Sequence, residues 1–228
     1  MKIDIFYHIY FLNNWFEIVK DQVEYLRSSS LFENSQIKIG ALYDKHNDDD
    51  IKKLKNLFID DDNVTYLFIE GNNGAAESNT LKCLKLYSDL LTENRNILYI
   101  HAKGVTQYGS IREIPVYKWR KMMEYFLIEK WENCVEKLND GYDCCGINYQ
   151  YHAATIEGKL KGINIFNGNF FWVKSEYVKK LNVDLLFEHR YSSENWITSE
   201  DHKSFSFYDT PKSVNLYYEI NENYKIEK

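Results

Sequence analysis

The sequence predicts an α/β fold, with a mostly parallel central sheet flanked by helices. In the first part of the chain, short runs rich in β-branched and aromatic residues alternate with longer segments whose apolar residues recur at helical spacing. One of these runs, residues 97–100, is apolar throughout, which is typical of a strand covered on both faces. A chain of 228 residues, 44% of them hydrophobic, is also long enough to bury a sizeable core.

The predicted elements follow one another along the chain. Strands are predicted over residues 3–10, 36–43, 64–69 and 97–100. Helices are predicted between these strands: the first begins after Asn13 or Asn14, the second after the acidic run 48–50, and the third covers residues 77–91. A long helix is predicted over residues 116–139, two more strands over 144–149 and 165–174, and a late helix over 194–202. The segment after Asp209 has no clear pattern. We expect a single domain over residues 1–228.

Composition excludes several classes of protein. The net charge is −6 with both signs interspersed, so we expect no nucleic-acid partner. The four cysteines lack Cys-x-x-Cys spacing and are expected to be reduced, and the adjacent Cys144 and Cys145 should point to opposite faces of a strand. No segment reaches the roughly 18 apolar residues of a membrane span, and the N-terminus lacks a signal-peptide run. A cytoplasmic location is expected, in the host cytoplasm if the source is viral.

Motif absences narrow the chemistry. A dinucleotide-binding sheet needs a glycine-rich turn after its first strand, and residues 7–11 contain no glycine. The sequence also lacks a Walker A motif, a Gly-x-Ser-x-Gly elbow, a His-Glu-x-x-His pair and a Cys/His zinc cluster. Hydride transfer and these hydrolytic mechanisms are therefore disfavoured.

Polar residues follow the fourth predicted strand at the point where it ends. His101, Lys103 and Gly104 come directly after the apolar run. In open α/β sheets, ligands bind outside the carboxyl ends of the strands, so these residues are predicted to lie at a site. The alternative is an ordinary strand exit with two solvated side chains.

Four motifs occur in a fixed order: Tyr7-His8-Ile9-Tyr10, Ile100-His101-Ala102-Lys103-Gly104, Trp119-Arg120, and Phe166-Asn167-Gly168-Asn169-Phe170-Phe171-Trp172. Together they resemble the GT-A-type glycosyltransferases of giant viruses and of bacterial surface-polysaccharide clusters, which often read His-Thr-Lys-Gly after the fourth strand. The similarity runs from the first strand to about Trp196, and Ala102 replaces the more usual threonine. The Asn-, Lys-, Ile- and Tyr-rich composition agrees with such a source.

The resemblance implies transfer of a hexosyl or deoxyhexosyl unit from a nucleoside-diphosphate sugar, a UDP-sugar first among them, to a glycan or glycoprotein acceptor. It implies a donor half at about residues 1–110, an acceptor half at about 111–210 and a tail at 211–228. Most GT-A enzymes bind a divalent metal through an Asp-x-Asp after the fourth strand, a place held here by His101-Ala102-Lys103. We expect Lys103, with His101 as a second donor, to stabilise the leaving diphosphate without a metal cofactor. Mn²⁺ or Mg²⁺ is the alternative.

Two acidic runs contain the letters Asp-x-Asp elsewhere. Residues 48–50 lie where a helix begins and residues 60–62 lie in a short turn. Asp is favoured at helix starts and in turns for local reasons. Both runs are therefore interpreted as structural.

Donor-binding residues are expected at the ends of the first three strands, by analogy with the fold. His8, Tyr10 and Tyr43 are candidates for contact with the nucleotide base, where an aromatic face can stack. Ser78 and Asn79 are candidates for contact with the ribose, with a helix cap as the alternative.

Acceptor-side candidates lie in the second half of the chain: Asn167, Gly168, Asn169, Arg190 and Trp196. Two amides beside a glycine would be costly if buried without partners, and sugar hydroxyls are suitable partners. A β-bulge in which the amides bond the local backbone is the alternative.

Inverting transfer needs a carboxylate to accept the proton of the acceptor hydroxyl. Glu194 is the first candidate for this catalytic base, and Asp201 and Glu200 come after it. Helix capping is the alternative for Glu194. Retaining chemistry stays open, as do a non-catalytic module that binds a nucleotide sugar or a glycan, and a nucleotidyltransferase. The last would need clustered carboxylates for Mg²⁺.

Overall fold

A computed structural model describes residues 2–156, 159–188, 191–220 and 222–225. Nine strands are β1 (Ile3–Phe11), β2 (Ser35–Tyr43), β3 (Val64–Gly71), β4 (Asn96–His101), β5 (Cys144–Gly146), β6 (Tyr149–Ile156), β7 (Lys159–Phe166), β8 (Phe171–Lys174) and β9 (Ser204–Ser206) in these ranges. The α-helices of the same ranges are α1 (Trp15–Ser28), α2 (Asp48–Leu57), α3 (Ser78–Leu90), α4 (Glu113–Glu124), α5 (Trp131–Asn139), α6 (Ser175–Val178) and α7 (Ser192–Asn195).

The main sheet has seven strands in the order β3-β2-β1-β4-β8-β5-β9. The first four strands pair in parallel, β8 runs antiparallel to both of its neighbours, and β5 and β9 pair in parallel. The predicted α/β fold class, with a mostly parallel central sheet flanked by helices, is confirmed. Strand β1 lies in the interior of the sheet and is buried along nearly its whole length, which explains its apolar sequence.

Helices cover the two faces of this sheet and create two cores. The larger core packs α1, α2, α4 and α5 on one face, while α3 and α6 pack on the other. Cys145 belongs to the first core and Cys144 to the second, so the adjacent pair does point to opposite faces. Both thiols are free. Within the described ranges, no helix has the length and apolarity of a membrane span.

Three predicted elements differ from the structure. The helix predicted over residues 116–139 is divided into α4, a π-helical segment (Tyr125–Glu129) and α5, with a break at Lys130. The strand predicted over 165–174 is divided by a turn in which Gly168 and Asn169 have positive φ. The late helix is replaced by α7 and a short 3₁₀ turn (Trp196–Thr198). Local periodicity does not reveal such breaks, because the residues on both sides remain apolar.

A two-stranded hairpin of β6 and β7 stands apart from the main sheet. Only the first residue of β6 and the last two residues of β7 fall within predicted strands, at 144–149 and 165–174. The rest of the hairpin was not predicted. Its sequence mixes polar, charged and apolar residues without the alternation of a half-buried strand. The hairpin places His152 beside the cleft described below.

One helix cap was predicted incorrectly, and the helix start at the acidic run was predicted correctly. Neither Asn13 nor Asn14 caps α1 through its side chain; Asn13 instead donates to the Val105 carbonyl at 2.7 Å. The acidic run 48–50 does form the first turn of α2, which Asn47 caps by accepting from the Asp49 backbone.

A buried carboxylate connects the amino ends of the central strands. Asp4 is fully buried, and its oxygens lie 2.5 Å from Lys38 Nζ and 3.2 Å from Arg95 Nη1.

We expect Asp4→Asn to lower the free energy of unfolding by about 3 kcal/mol, because two largely buried cations lose their counter-ion. Urea denaturation measures the change. Glu24→Ala, which removes an exposed partner of Lys20, should change it by less than about 1 kcal/mol. Equal losses in the two variants would contradict this account.

Candidate functional site

A cleft opens at the carboxyl ends of β1 and β4, where His8 and His101 are partners in register. It has two lobes. The donor lobe, of about 350 Å³, is lined by His8, Tyr10, Leu42, Asn72, Ala76, Ala102, Gly104, Val105, Thr106, Gln107, Val116 and Ser193 together with the shared residues named below. The acceptor lobe, of about 550 Å³, is lined by Arg112, Trp119, His152, Ile163, Ile165, Asn167, Gly168, Asn169 and Tyr191 together with the same shared residues.

The two lobes meet at five residues that line both: Glu77, His101, Lys103, Glu194 and Tyr217. We call these the junction. It contains two carboxylates, one ammonium and one imidazole, so ionisable groups are concentrated where the lobes touch. Groups that react together must lie at such a meeting point, because the two reactants have to approach within about 3–3.5 Å.

Glu77 bonds or faces the side chains of three other residues. Its Oε2 accepts hydrogen bonds from Tyr99 Oη at 3.0 Å and Asn169 Nδ2 at 2.7 Å, and its Oε1 lies 3.7 Å from His101 Nδ1. Burial by itself raises the pKa of Glu77, but the neighbouring histidines, the Asn169 bond and Lys103 together lower it. Glu77 is therefore an ionised carboxylate that holds two elements in place.

His101 contacts the backbone of the acceptor side. Its Nε2 lies 2.9 Å from the Gly168 carbonyl oxygen, which can only accept, so Nε2 carries the hydrogen. Burial lowers the pKa of His101, while the Glu77 charge and the bond to Gly168 oppose that shift. This hydrogen bond positions the turn at Gly168, and the expected role of His101 as a second donor to a diphosphate stays a prediction.

Lys103 lies on the face of an aromatic ring. Its Nζ is 4.0 Å from the centroid of the Trp119 ring, at cation–π distance. Gly104 follows with a φ of 112°, a conformation that favours glycine, and it allows the chain to turn into a 3₁₀ segment (Val105–Gln107). Burial lowers the pKa of Lys103, while Glu77 and Glu194 oppose that shift.

His8 is held from the other side of the sheet. Its Nδ1 lies 2.8 Å from Thr80 Oγ1 on α3. Gly40, the partner of His8 on β2, makes this approach possible, because a Cβ on Gly40 would lie only 2.4 Å from the same Thr80 oxygen. Burial lowers the pKa of His8 to about 4, so its ring is neutral at neutral pH.

This depressed pKa predicts a pH dependence of stability. Between the unfolded pKa of about 6.5 and the folded value of about 4, the unfolded chain binds a proton at His8 that the folded chain does not. Stability must therefore fall as pH falls through this window. Between pH 7 and pH 4.5, wild type should lose about 2.5 kcal/mol more unfolding free energy than His8→Asn. Urea titrations at both pH values measure this, and equal losses would contradict it.

Tyr10 and Asn72 line the donor lobe near Asp44. The Tyr10 hydroxyl donates to Asp44 Oδ2, and Asn72 Nδ2 donates to Asp44 Oδ1 at 3.0 Å. Burial and the bond to Asp44 raise the pKa of Tyr10, and the hydrogen bonds from Tyr10 and Asn72 lower that of Asp44. This cluster lies at the ends of β1, β2 and β3, where the nucleotide base is expected to bind.

Three expected donor residues line neither lobe. Tyr43 packs against the first core and the His46 ring, and Leu42 faces the cleft instead. Ser78 is buried and donates to the Leu186 carbonyl at 2.8 Å. Asn79 donates to Glu70 and to Asn73, and α3 starts without a side-chain cap. The alternative role of the last two residues as a helix cap is therefore wrong.

Some of the acceptor-side candidates line the cleft and others do not. Asn167, Gly168 and Asn169 line the acceptor lobe. Gly168 has a φ of 99°, and a Cβ there would lie 2.5 Å from Met123 Sδ. The three residues therefore form a tight turn that the site uses, rather than a bulge within one strand.

Trp196 and Asp201 are placed away from the cleft, and Arg190 lies outside the described residues. Trp196 is fully buried in the second core, with Nε1 donating to the Asn182 carbonyl at 2.9 Å. Asp201 is exposed and lines neither lobe. Of the carboxylates considered as the base, only Glu194 lies at the junction.

Several residues of the cleft were not predicted: Glu77, Arg112, Trp119, His152 and Tyr217. Glu77 follows the Gly71–Gly74 turn at the carboxyl end of β3. The same strand-end rule that selected Lys103 would have selected it. The aromatic residues gave no such signal, because a single Trp or Tyr in an apolar helix or a tail is more often structural.

Lys103, which follows the fourth strand, is not a ligand for a divalent metal. An ammonium has no lone pair for a cation, and the one free carboxylate oxygen of Glu77 faces His101. Throughout the described part of the chain, no group of three or more His, Cys, Asp or Glu residues is arranged to hold a metal ion.

Three solved structures of low sequence identity align with most of this chain. The crystal structure of HddC from Yersinia pseudotuberculosis is 11% identical, covers 92% of this chain and 91% of that chain, and has a TM-score of 0.47. The same protein complexed with GMP-PN is 12% identical, with coverages of 99% and 97% and a TM-score of 0.49. A putative nucleotide-diphospho-sugar transferase from Desulfovibrio desulfuricans G20 is 11% identical, with coverages of 92% and 81% and a TM-score of 0.42.

No curated protein matches the sequence. One protein family does, and its description is "Domain of unknown function (DUF8361)". The match extends over residues 6–218, from β1 to beyond Tyr217, so it includes every residue of the junction. The chain therefore belongs to the DUF8361 family.

Proposed function

We propose that the protein is a glycosyltransferase that moves a hexosyl or deoxyhexosyl unit from a nucleoside-diphosphate sugar, with UDP-sugars as the first candidates, to a hydroxyl of a glycan or glycoprotein. The observation that supports this most is the pair of lobes that meet at Lys103, Glu77 and Glu194. A two-substrate transfer needs two adjoining pockets with a cation for the leaving group and a carboxylate for the incoming one.

The proposal assigns the leaving diphosphate to Lys103. Its side chain is partly buried against Trp119, where a charge-assisted hydrogen bond to a phosphate oxygen is stronger than in water. Glu77 and Glu194 keep the ammonium charged against the cost of burial. No metal ion is needed in this scheme, and none is part of any step.

Glu194 is the proposed catalytic base. Glu77 is a poorer candidate because two donors already bond one of its oxygens and its pKa is lowered. A carboxylate whose ionised form is stabilised by hydrogen bonds binds a proton weakly. Glu77 is instead a positioning residue that fixes Asn169 and, through its charge, Lys103.

In the proposed step, the bond between the anomeric carbon and the diphosphate oxygen breaks, and its electron pair leaves with the diphosphate beside Lys103. The acceptor hydroxyl oxygen forms the new bond to the anomeric carbon from the opposite face, and its proton passes to Glu194. The products are a glycoside of inverted configuration and a nucleoside diphosphate.

The test is a screen for turnover. Purified protein is incubated with UDP-, GDP- and dTDP-sugars and CMP-sugars, with a mixture of saccharide acceptors, and release of free nucleotide is measured with EDTA and with Mn²⁺. We expect release from one donor class, increased by acceptor and retained in EDTA. Nucleotide binding without turnover would favour the non-catalytic module instead.

A further inference from the structure

The acceptor lobe continues into a third cavity. This distal lobe, of about 340 Å³, is lined by Trp119, Gln150, His152, Asn167, Lys212, Ser213, Val214, Asn215, Leu216 and Tyr217. It shares four of these residues with the acceptor lobe and only Tyr217 with the donor lobe. The three cavities therefore lie in series, and the distal lobe is an extension of the acceptor side.

The distal lobe combines an aromatic corner with uncharged polar groups. The rings of Trp119 and Tyr217 are nearly perpendicular, at 88°, with centroids 5.4 Å apart. Gln150, Asn167 and Ser213 supply amide and hydroxyl groups along the wall. Lys212 also lines the lobe, and among the described residues no carboxylate does, although the chain as a whole is acidic. Aromatic faces beside amides suit a ring that is apolar on one face and carries hydroxyls at its edge.

Polar atoms without a partner occur in the wall of the acceptor lobe next to the distal lobe. Trp119 Nε1, His152 Nε2 and Asn169 Oδ1 are buried and make no hydrogen bond within the described part of the chain. Trp119 and Asn169 are only 4% and 3% exposed. Buried polar atoms are nearly always bonded, so unpaired ones indicate a missing partner. Trp119 Nε1 is a hydrogen-bond donor, Asn169 Oδ1 is an acceptor, and His152 Nε2 is an imidazole nitrogen. Sugar hydroxyls both donate and accept hydrogen bonds, so they match this set.

We propose that the distal lobe binds the second sugar unit of an oligosaccharide acceptor. The terminal unit then occupies the acceptor lobe beside Glu194, and the acceptor is a glycan of at least two units rather than a free monosaccharide. The order of the units rests on the proposed glycosyltransferase function. The binding of a second sugar ring does not, and it is testable without turnover.

The experiment is binding of fluorescently labelled protein to an array of immobilised linear glycans, each sequence present from one to four units. We expect at least about tenfold stronger binding of one series at two units than at one, equivalent to about 1.4 kcal/mol. Ser213→Trp should fill the distal lobe and bring this ratio close to one. Lys212→Ala should lower the ratio, whereas Lys52→Ala, at an exposed position of α2, should not.

Equal binding of one and two units in every series would overturn the proposal, as would binding to no glycan at all. An undiminished ratio in Ser213→Trp, with the variant folded as judged by its melting temperature, would also overturn it. The glycosyltransferase proposal can fail while the distal-lobe proposal holds. A length-dependent array signal without turnover of any donor would support the distal lobe as a glycan-binding site and contradict the glycosyltransferase proposal.

Discussion

Replacement of Glu194 by glutamine is expected to lower kcat about 10²–10⁴-fold, the contribution typical of a positioned general base. Glutamine keeps the size of the side chain but cannot accept the hydroxyl proton. KM for the acceptor should change little, because the interaction that Glu194→Gln removes stabilises the transition state of proton transfer and not the bound acceptor. Steady-state kinetics with the donor found in the turnover screen measure both constants.

Two other carboxylates of the late segment are the matched controls. Glu200→Gln and Asp201→Asn change exposed residues that line neither lobe. Both variants should retain kcat within about threefold, since surface substitutions have small effects. If one of them lost activity while Glu194→Gln did not, the assignment of the base would be wrong.

Replacement of Lys103 by alanine is expected to lower kcat/KM for the donor about 10²–10³-fold, the loss typical of one preorganised donor to a developing anion. The lowered pKa of Lys103 adds a second expectation. As pH rises, this ammonium loses its proton before an ordinary lysine does, so activity should decline on the alkaline side below the usual lysine range. The decline should be absent in Lys103→Ala.

The control for Lys103 is Lys52→Ala, which removes one positive charge from the exposed side of α2. It should leave kcat/KM and the alkaline decline unchanged. A comparable loss in both variants would mean that the net charge, rather than the position of Lys103, is responsible.

The strands of the site were predictable because their signal is local. Buried parallel strands require continuous apolar runs, and β1 and β4 have them. Where such runs end, the chain must return to polar residues, and this rule located Lys103 and His101. The alignment of His8 with His101 then follows from the parallel pairing of neighbouring strands.

The rest of the site depends on contacts between distant parts of the chain. Glu77 meets Asn169, and Lys103 meets both Trp119 and the segment that carries Glu194. No local pattern encodes these pairs. Tyr217 lies in a segment that has no periodicity, yet it lines all three lobes. Conversely, Trp196 follows a predicted site segment but is needed to fill the second core.

Lys103 is proposed to bind the donor diphosphate without a metal ion. Isothermal titration of wild type and Lys103→Ala with UDP, GDP, dTDP and CMP, each in EDTA and in Mn²⁺, tests it directly. The account predicts that one nucleotide binds wild type equally well in both conditions and binds Lys103→Ala at least about tenfold more weakly, a difference of about 1.4 kcal/mol. Binding that requires Mn²⁺ and is the same in both proteins would contradict it.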